Sequence, residues 1–67
     1  MQPNDKIRMA PKTSRAKNRV REHGDVFEVR QVKRSQCFKF KPSVFVEAPD
    51  GWVGWFCIEE EAIEVIR

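Results

Sequence analysis

Charged and apolar residues alternate from Asp5 to Ala10, with Ile7 and Met9 pointing one way and Lys6 and Arg8 the other. Period two marks a half-buried strand, and Pro11, which has no amide hydrogen for a ladder, ends it. Residues 11–23 lose the alternation. They are polar and basic around one apolar anchor, Val20. A long basic loop is expected there, with no more than a short helical turn over 14–20 capped by Ser14. Gly24 opens a second strand over residues 25–33. Val26 and Val32 share one parity and Phe27 and Val29 the other, the pattern of a strand that bends as it coils through a barrel.

Arg34-Ser35-Gln36 reads as a polar turn. Residues 37–41 alternate again, and Pro42 interrupts them with a bulge or an edge position, because a paired central strand would lose a hydrogen bond there. Val44 to Glu47 resumes the strand. Pro49-Asp50-Gly51 then makes a hairpin turn that pairs residues whose numbers sum to about 100. Residues 52–58 are the strongest strand pattern, and Gly54 leaves space between two tryptophans for a bend or a close neighbour. Residues 59–62 predict one short 3-10 or helical turn with acids at its N-terminal end, where the dipole favours them. The final strand is residues 63–66. The expected core is Ile7, Met9, Val26, Val29, Phe38, Phe40, Val44, Val46, Phe56, Ile58, Ile63 and Ile66.

Five short strands with one long loop after the first resemble the SH3-like class of small barrels. The Lys6–Met9 strand, the Gly24-started strand and the Trp55–Ile66 closure carry that resemblance over nearly the whole chain. It implies an all-β, five-stranded closed barrel forming one domain over residues 1–67. Barrels of this size serve as docking pieces, among them the small basic barrel of photosystem I and the KOW-type modules of ribosomal and transcription factors. The Asp5–Met9 strand and the Phe56–Val65 ending resemble the former.

Size narrows the choice further. With 67 residues there is one small core, and such a core rarely supplies more than about 3–5 kcal/mol. No apolar run approaches the roughly 20 residues of a membrane span. Met1-Gln2-Pro3-Asn4-Asp5 carries no apolar signal core, so a cytoplasmic protein is expected. Cys37 and Cys57 fall out of register across the hairpin and are expected to be reduced. The net charge of +3 hides a polarity: residues 1–40 carry eleven Lys/Arg against four Asp/Glu, and residues 41–67 two against six.

The basic half supplies the candidate chemistry. Lys12, Arg15, Lys17, Arg19 and Arg21 fall within the expected loop and form a candidate nucleic-acid-binding set, since clustered cations neutralise phosphates in a salt-dependent way. Trp52 and Trp55, three residues apart, point to opposite faces, and the outward one is a candidate partner contact. A polyproline groove is not expected, because the chain has no Tyr and no proline after Phe56. Val53-Gly54-Trp55-Phe56-Cys57 is similar to a stretch of the plasmid-type dihydrofolate reductases, but the Val-Gln-Ile-Tyr strand on which those enzymes depend is missing. No catalytic residue, metal site, cofactor or small-molecule substrate is expected; His23 and the two cysteines are too few for zinc. The expected function is therefore a non-enzymatic binding module for nucleic acid or another polyanion. The alternative is a small protein-docking or inhibitory subunit, of phage type by size, that meets a larger protein through an exposed tryptophan.

Overall fold

Ile7 and Met9 anchor the first strand of the computed structural model, which describes residues 1–66, the side chain of Cys37 excepted. Strand β1 (Lys6–Ala10) buries these two and exposes Lys6, Arg8 and Ala10, as its alternation dictates. Helix α1 (Ser14–His23) follows. Then come β2 (Val26–Ser35), a 3-10 turn at Gln36–Phe38, β3 (Lys41–Glu47), β4 (Val53–Cys57) and β5 (Ala62–Ile66). The strands form one antiparallel sheet in the order β4-β3-β2-β1-β5. Among the described residues β4 and β5 share no ladder, so the sheet stays open where a closed barrel was expected. Beyond β4 the chain turns through Ile58–Glu60, and β5 lays its whole length on β1, from Ala62 opposite Ala10 to Ile66 opposite Lys6.

The β3–β4 hairpin has the register the turn residues dictate. Ser43 faces Cys57, Val44 faces Phe56 and Phe45 faces Trp55. Cys57 is buried and free, while the Cys37 side chain lies outside the described residues. Gly51, at φ 95°, supplies the positive dihedral the turn needs.

Four local expectations are corrected. The basic stretch 11–23 is a helix over most of its length, because Thr13 caps it: its hydroxyl accepts from the Ala16 amide at 3.2 Å. Gly24, at φ 91°, ends it by donating its amide to Val20 O at 2.8 Å. Residues 37–40 are not a strand. The 3-10 turn is followed by Lys39 and Phe40 in the left-handed region, at φ 55° and 63°. Pro42 lies within a β3 that has no bulge there; the extra residue is Arg30 in β2, between the pairs Val29–Val46 and Gln31–Phe45. Finally, residues 58–60 make a hydrogen-bonded turn, with Glu60 N donating to Cys57 O at 3.2 Å, and Ala62 already belongs to β5.

The buried core is Ile7, Met9, Ala16, Phe27, Val29, Val44, Val46, Ala48 and Phe56, with Val20, Trp52, Ile58, Ile63 and Val65 packed at its margin. Phe27 fills the place expected for Val26, which is half-buried. Phe38 is half-buried, and Phe40 and Ile66 are exposed. The left-handed backbone at residue 40 takes that ring out of the strand alternation.

Trp52 explains Gly54. A Cβ on Gly54 would stand 2.5 Å from the Cη2 and Cζ2 atoms of the Trp52 indole, which packs against Phe27 and Phe56 at centroid distances of 6.2 and 5.8 Å. Gly54→Ala is expected to displace the indole and cost about 1–3 kcal/mol. Denaturant unfolding measures this, and a variant as stable as the parent would show that the indole is free to move.

Candidate functional site

Helix α1 has two faces with different duties. Ala16, Val20 and His23, spaced four and three apart, look inward. The His23 ring stacks on the Trp52 indole at 4.8 Å and 10°, and its Nδ1 shares a 2.6 Å hydrogen bond with Asp50 Oδ2. Asp50 also accepts from the Trp52 amide at 3.0 Å. The His23 bond first, and the Trp52 amide second, hold the Asp50 carboxyl below its ordinary value of 3.8. These contacts fasten the C-terminal end of α1 to the β3–β4 turn.

Glu61 fastens the other end. It is 7% exposed, and it accepts from Lys12 N at 2.7 Å, Thr13 N at 3.2 Å and Thr13 Oγ1 at 2.8 Å. The helix has no acid in its own first turn, so a carboxylate from the turn before β5 supplies the negative charge favoured there. The Thr13 hydroxyl donates to Glu61 while accepting from Ala16, which links the two caps. The carboxylate binds backbone amides and a hydroxyl, leaving the basic side chains of the segment unpaired by it.

The five candidate cations separate into two groups. Lys12, Lys17 and Arg21 are exposed, Lys17 and Arg21 being four residues apart on the solvent face. Arg21 Nη2 donates to Asn18 Oδ1, and among the described residues no carboxylate forms an ion pair with any of the three. Arg15 and Arg19 reach toward the sheet instead. Arg15 Nη1 donates to Trp55 O at 2.9 Å, and its guanidinium lies 5.6 Å from the Phe38 ring and 5.5 Å from the Phe56 ring. Arg19 pairs with Glu22 at 3.3 Å, sits 5.8 Å over Trp52 and buries its Nε without a hydrogen-bond partner among the described residues. Arg19 thus helps hold the helix in place.

The tryptophans lie on opposite sides of the sheet. Trp52 is locked between His23, Phe27 and Phe56. Trp55 is half-buried on the outer side, 5.0 Å from Phe45 across the strand pair, with Lys33 Nζ 5.5 Å above its ring. Glu61, Lys33 and Phe45 were missed in the sequence. The hairpin register alone places Phe45 opposite Trp55, whereas nothing local marks Glu61 within a run of three glutamates.

Elsewhere an open groove of about 320 Å³ runs past Val26, Phe27, Ala48 and Pro49. Of its two lining cations, Lys6 and Arg30, the latter is already taken up by Glu47 at 2.6 Å and Glu28 at 3.2 Å, and the two carboxylates hold the guanidinium pKa above its ordinary value. Among the described residues, no helix is long and apolar enough to cross a membrane. No group of three or more His, Cys, Asp or Glu among them is placed to hold a metal. No protein-family model, curated protein or solved structure matches this chain.

Proposed function

We propose that this chain is a small non-enzymatic binding module, of an SH3-like class left open between β4 and β5, that engages nucleic acid through the exposed face of α1. The strand order supports the class, because the first strand is held by both the second and the last. The observation that carries the function is that Lys17 and Arg21, on a helix fastened at both ends, and Lys12, just before its cap, are exposed and form no ion pair with a carboxylate among the described residues. Positive charge held on a rigid element attracts phosphates without an ordering cost at the moment of binding. Arg15 extends the cationic face toward Trp55.

Titration of the isotopically labelled protein with a DNA duplex, an RNA hairpin and heparin at about 50 mM salt tests this. Amide resonances of residues 12–21 are expected to move with all three, and those of Glu64 and its neighbours in β5 to stay in place. Absence of binding to any of them would remove the proposal. A second reading, docking to a larger protein, rests on the outer Trp55–Phe45 pair and on Val53, which is 47% exposed. It would be favoured if only Trp55→Ala weakened a captured complex.

A further inference from the structure

Between Glu28 and Glu47 the chain carries no acidic residue, while Arg30, Lys33, Arg34, Lys39 and Lys41 give it five cations. All five lie in the β2–β3 hairpin; four of them, all but Arg30, fall in its half nearer the tip, and those four are exposed. At its tip stands Phe40, 62% exposed and the most exposed large apolar side chain among the described residues.

The tip is built to present that ring. Lys39 and Phe40 are consecutive residues in the left-handed region, at φ 55° and 63°, a conformation that side-chain-bearing residues adopt only when their surroundings impose it. The surroundings are visible. Phe40 N donates to Ser35 O at 2.9 Å, Lys39 N donates to Gln36 O at 3.3 Å, and Arg34 Nη1 donates to Phe40 O at 3.0 Å. Three hydrogen bonds hold a strained backbone so that an aromatic face looks outward between Lys39 and Lys41. Two consecutive left-handed residues suit the turn between β2 and β3, and here they leave the ring exposed among cations instead of packed in the core.

The tip is also continuous with the helix. Arg15 of α1 lies over Phe38, two residues before Phe40, and bonds the Trp55 carbonyl. Lys33 covers the outer ring of Trp55. Arg15 from the helix side and Lys33 from the outer side thus both reach Trp55 on β4, an edge strand of the sheet. The turn carrying Glu59 and Glu60 borders it at one end, where Ile58 N bonds Pro42 O.

We infer that the β2–β3 hairpin tip is a stacking site for an unpaired base, with Phe40 as the platform and Lys33, Lys39 and Lys41 for the flanking phosphates. The inference rests on the polyanion reading above and narrows its substrate to strands with unpaired nucleotides. Every base has a π-face, so such a site tolerates sequence while rejecting a duplex whose bases are stacked inside. Heparin has charge but no bases, and separates the two contributions.

The test is fluorescence anisotropy of labelled oligothymidine and oligouridine of roughly 15 nucleotides, beside a duplex and heparin. Phe40→Gly removes the ring and is at ease at positive φ; Phe40→Trp keeps an aromatic face. Thermal melts confirm that both variants are folded. Phe40→Gly is expected to weaken single-strand binding roughly 10- to 100-fold, to leave duplex and heparin binding unchanged, and to be rescued by Phe40→Trp. Preference for one oligonucleotide assigns the site to DNA or to RNA. If Phe40→Gly binds the single strands as tightly as the parent, the stacking site is refuted while the helix reading stands. Equal losses on heparin, duplex and single strands would also refute it, because a lost ring cannot affect a ligand without bases. If the parent binds none of the four, both readings fall together.

Discussion

Replacing Lys12, Lys17 and Arg21 together by glutamine is expected to weaken duplex binding by about 500-fold at about 0.1 M salt. Each phosphate neutralised on B-DNA changes log affinity against log salt by about 0.9, so each lost contact costs roughly 8-fold at that concentration. These side chains are exposed, and the bond from Arg21 to Asn18 is their one side-chain hydrogen bond among the described residues. Stability should move by no more than about 0.5 kcal/mol, as for other surface substitutions. Arg19→Gln should behave in the opposite way. That side chain packs over Trp52 and pairs with Glu22, so its loss should lower stability more than affinity. A triple variant that binds as tightly as the parent would move the site away from α1.

Glu61→Ala should lower stability more than either Gly54→Ala or Arg19→Gln. Truncation leaves the amides of Lys12 and Thr13 and the hydroxyl of Thr13 without their acceptor at a part-buried site. An unsatisfied buried donor costs about 1–3 kcal/mol, and water entering the vacated space recovers part of that. A net loss of about 2–4 kcal/mol follows, against a stability of about 3–5 kcal/mol for a core of this size. The midpoint of thermal unfolding should fall by roughly 10–30 °C. Glu61→Gln keeps one acceptor oxygen and should fall in between. Thr13→Ala removes part of the same network, so its effect should not add to that of Glu61→Ala. A Glu61→Ala protein melting within a couple of degrees of the parent would mean that the clasp contributes nothing.

What could be read from the sequence follows how local each signal is. The β3–β4 hairpin was legible because Pro49-Asp50-Gly51 fixes both turn and register, and every pair from Ser43–Cys57 to Glu47–Val53 obeys it. Strand β1 was legible because Ile7 and Met9 alternate with charges. Helix α1 was hidden by its narrow apolar stripe, Ala16 and Val20 with His23, which is too small to show in the pattern. Its local signals were nevertheless there: a Thr13 cap, a run free of Gly and Pro, and Gly24 as the stop. The open edge between β4 and β5 was illegible, since it follows from β5 pairing with β1, between residues more than fifty positions apart. Phe40 misled for a different reason. Its alternation with Lys39 and Lys41 reads as strand, and only the two left-handed residues turn the ring outward.

The candidate cations were legible as a cluster, but their division was not. Sequence spacing cannot tell Arg15 and Arg19, drawn in by aromatic rings and a carbonyl, from Lys12, Lys17 and Arg21, left free in solvent. The fold makes that division, by which side chains reach the sheet and which stay in solvent.

The slope of log affinity against log salt, measured side by side for the parent and the Lys12/Lys17/Arg21 glutamine variant on one duplex, is the most direct test. Three phosphate contacts, two from α1 and one from Lys12 before its cap, require the parent's slope to be steeper by about 2.7. Parallel lines, or no measurable binding by the parent at about 50 mM salt, would contradict a nucleic-acid site on this helix.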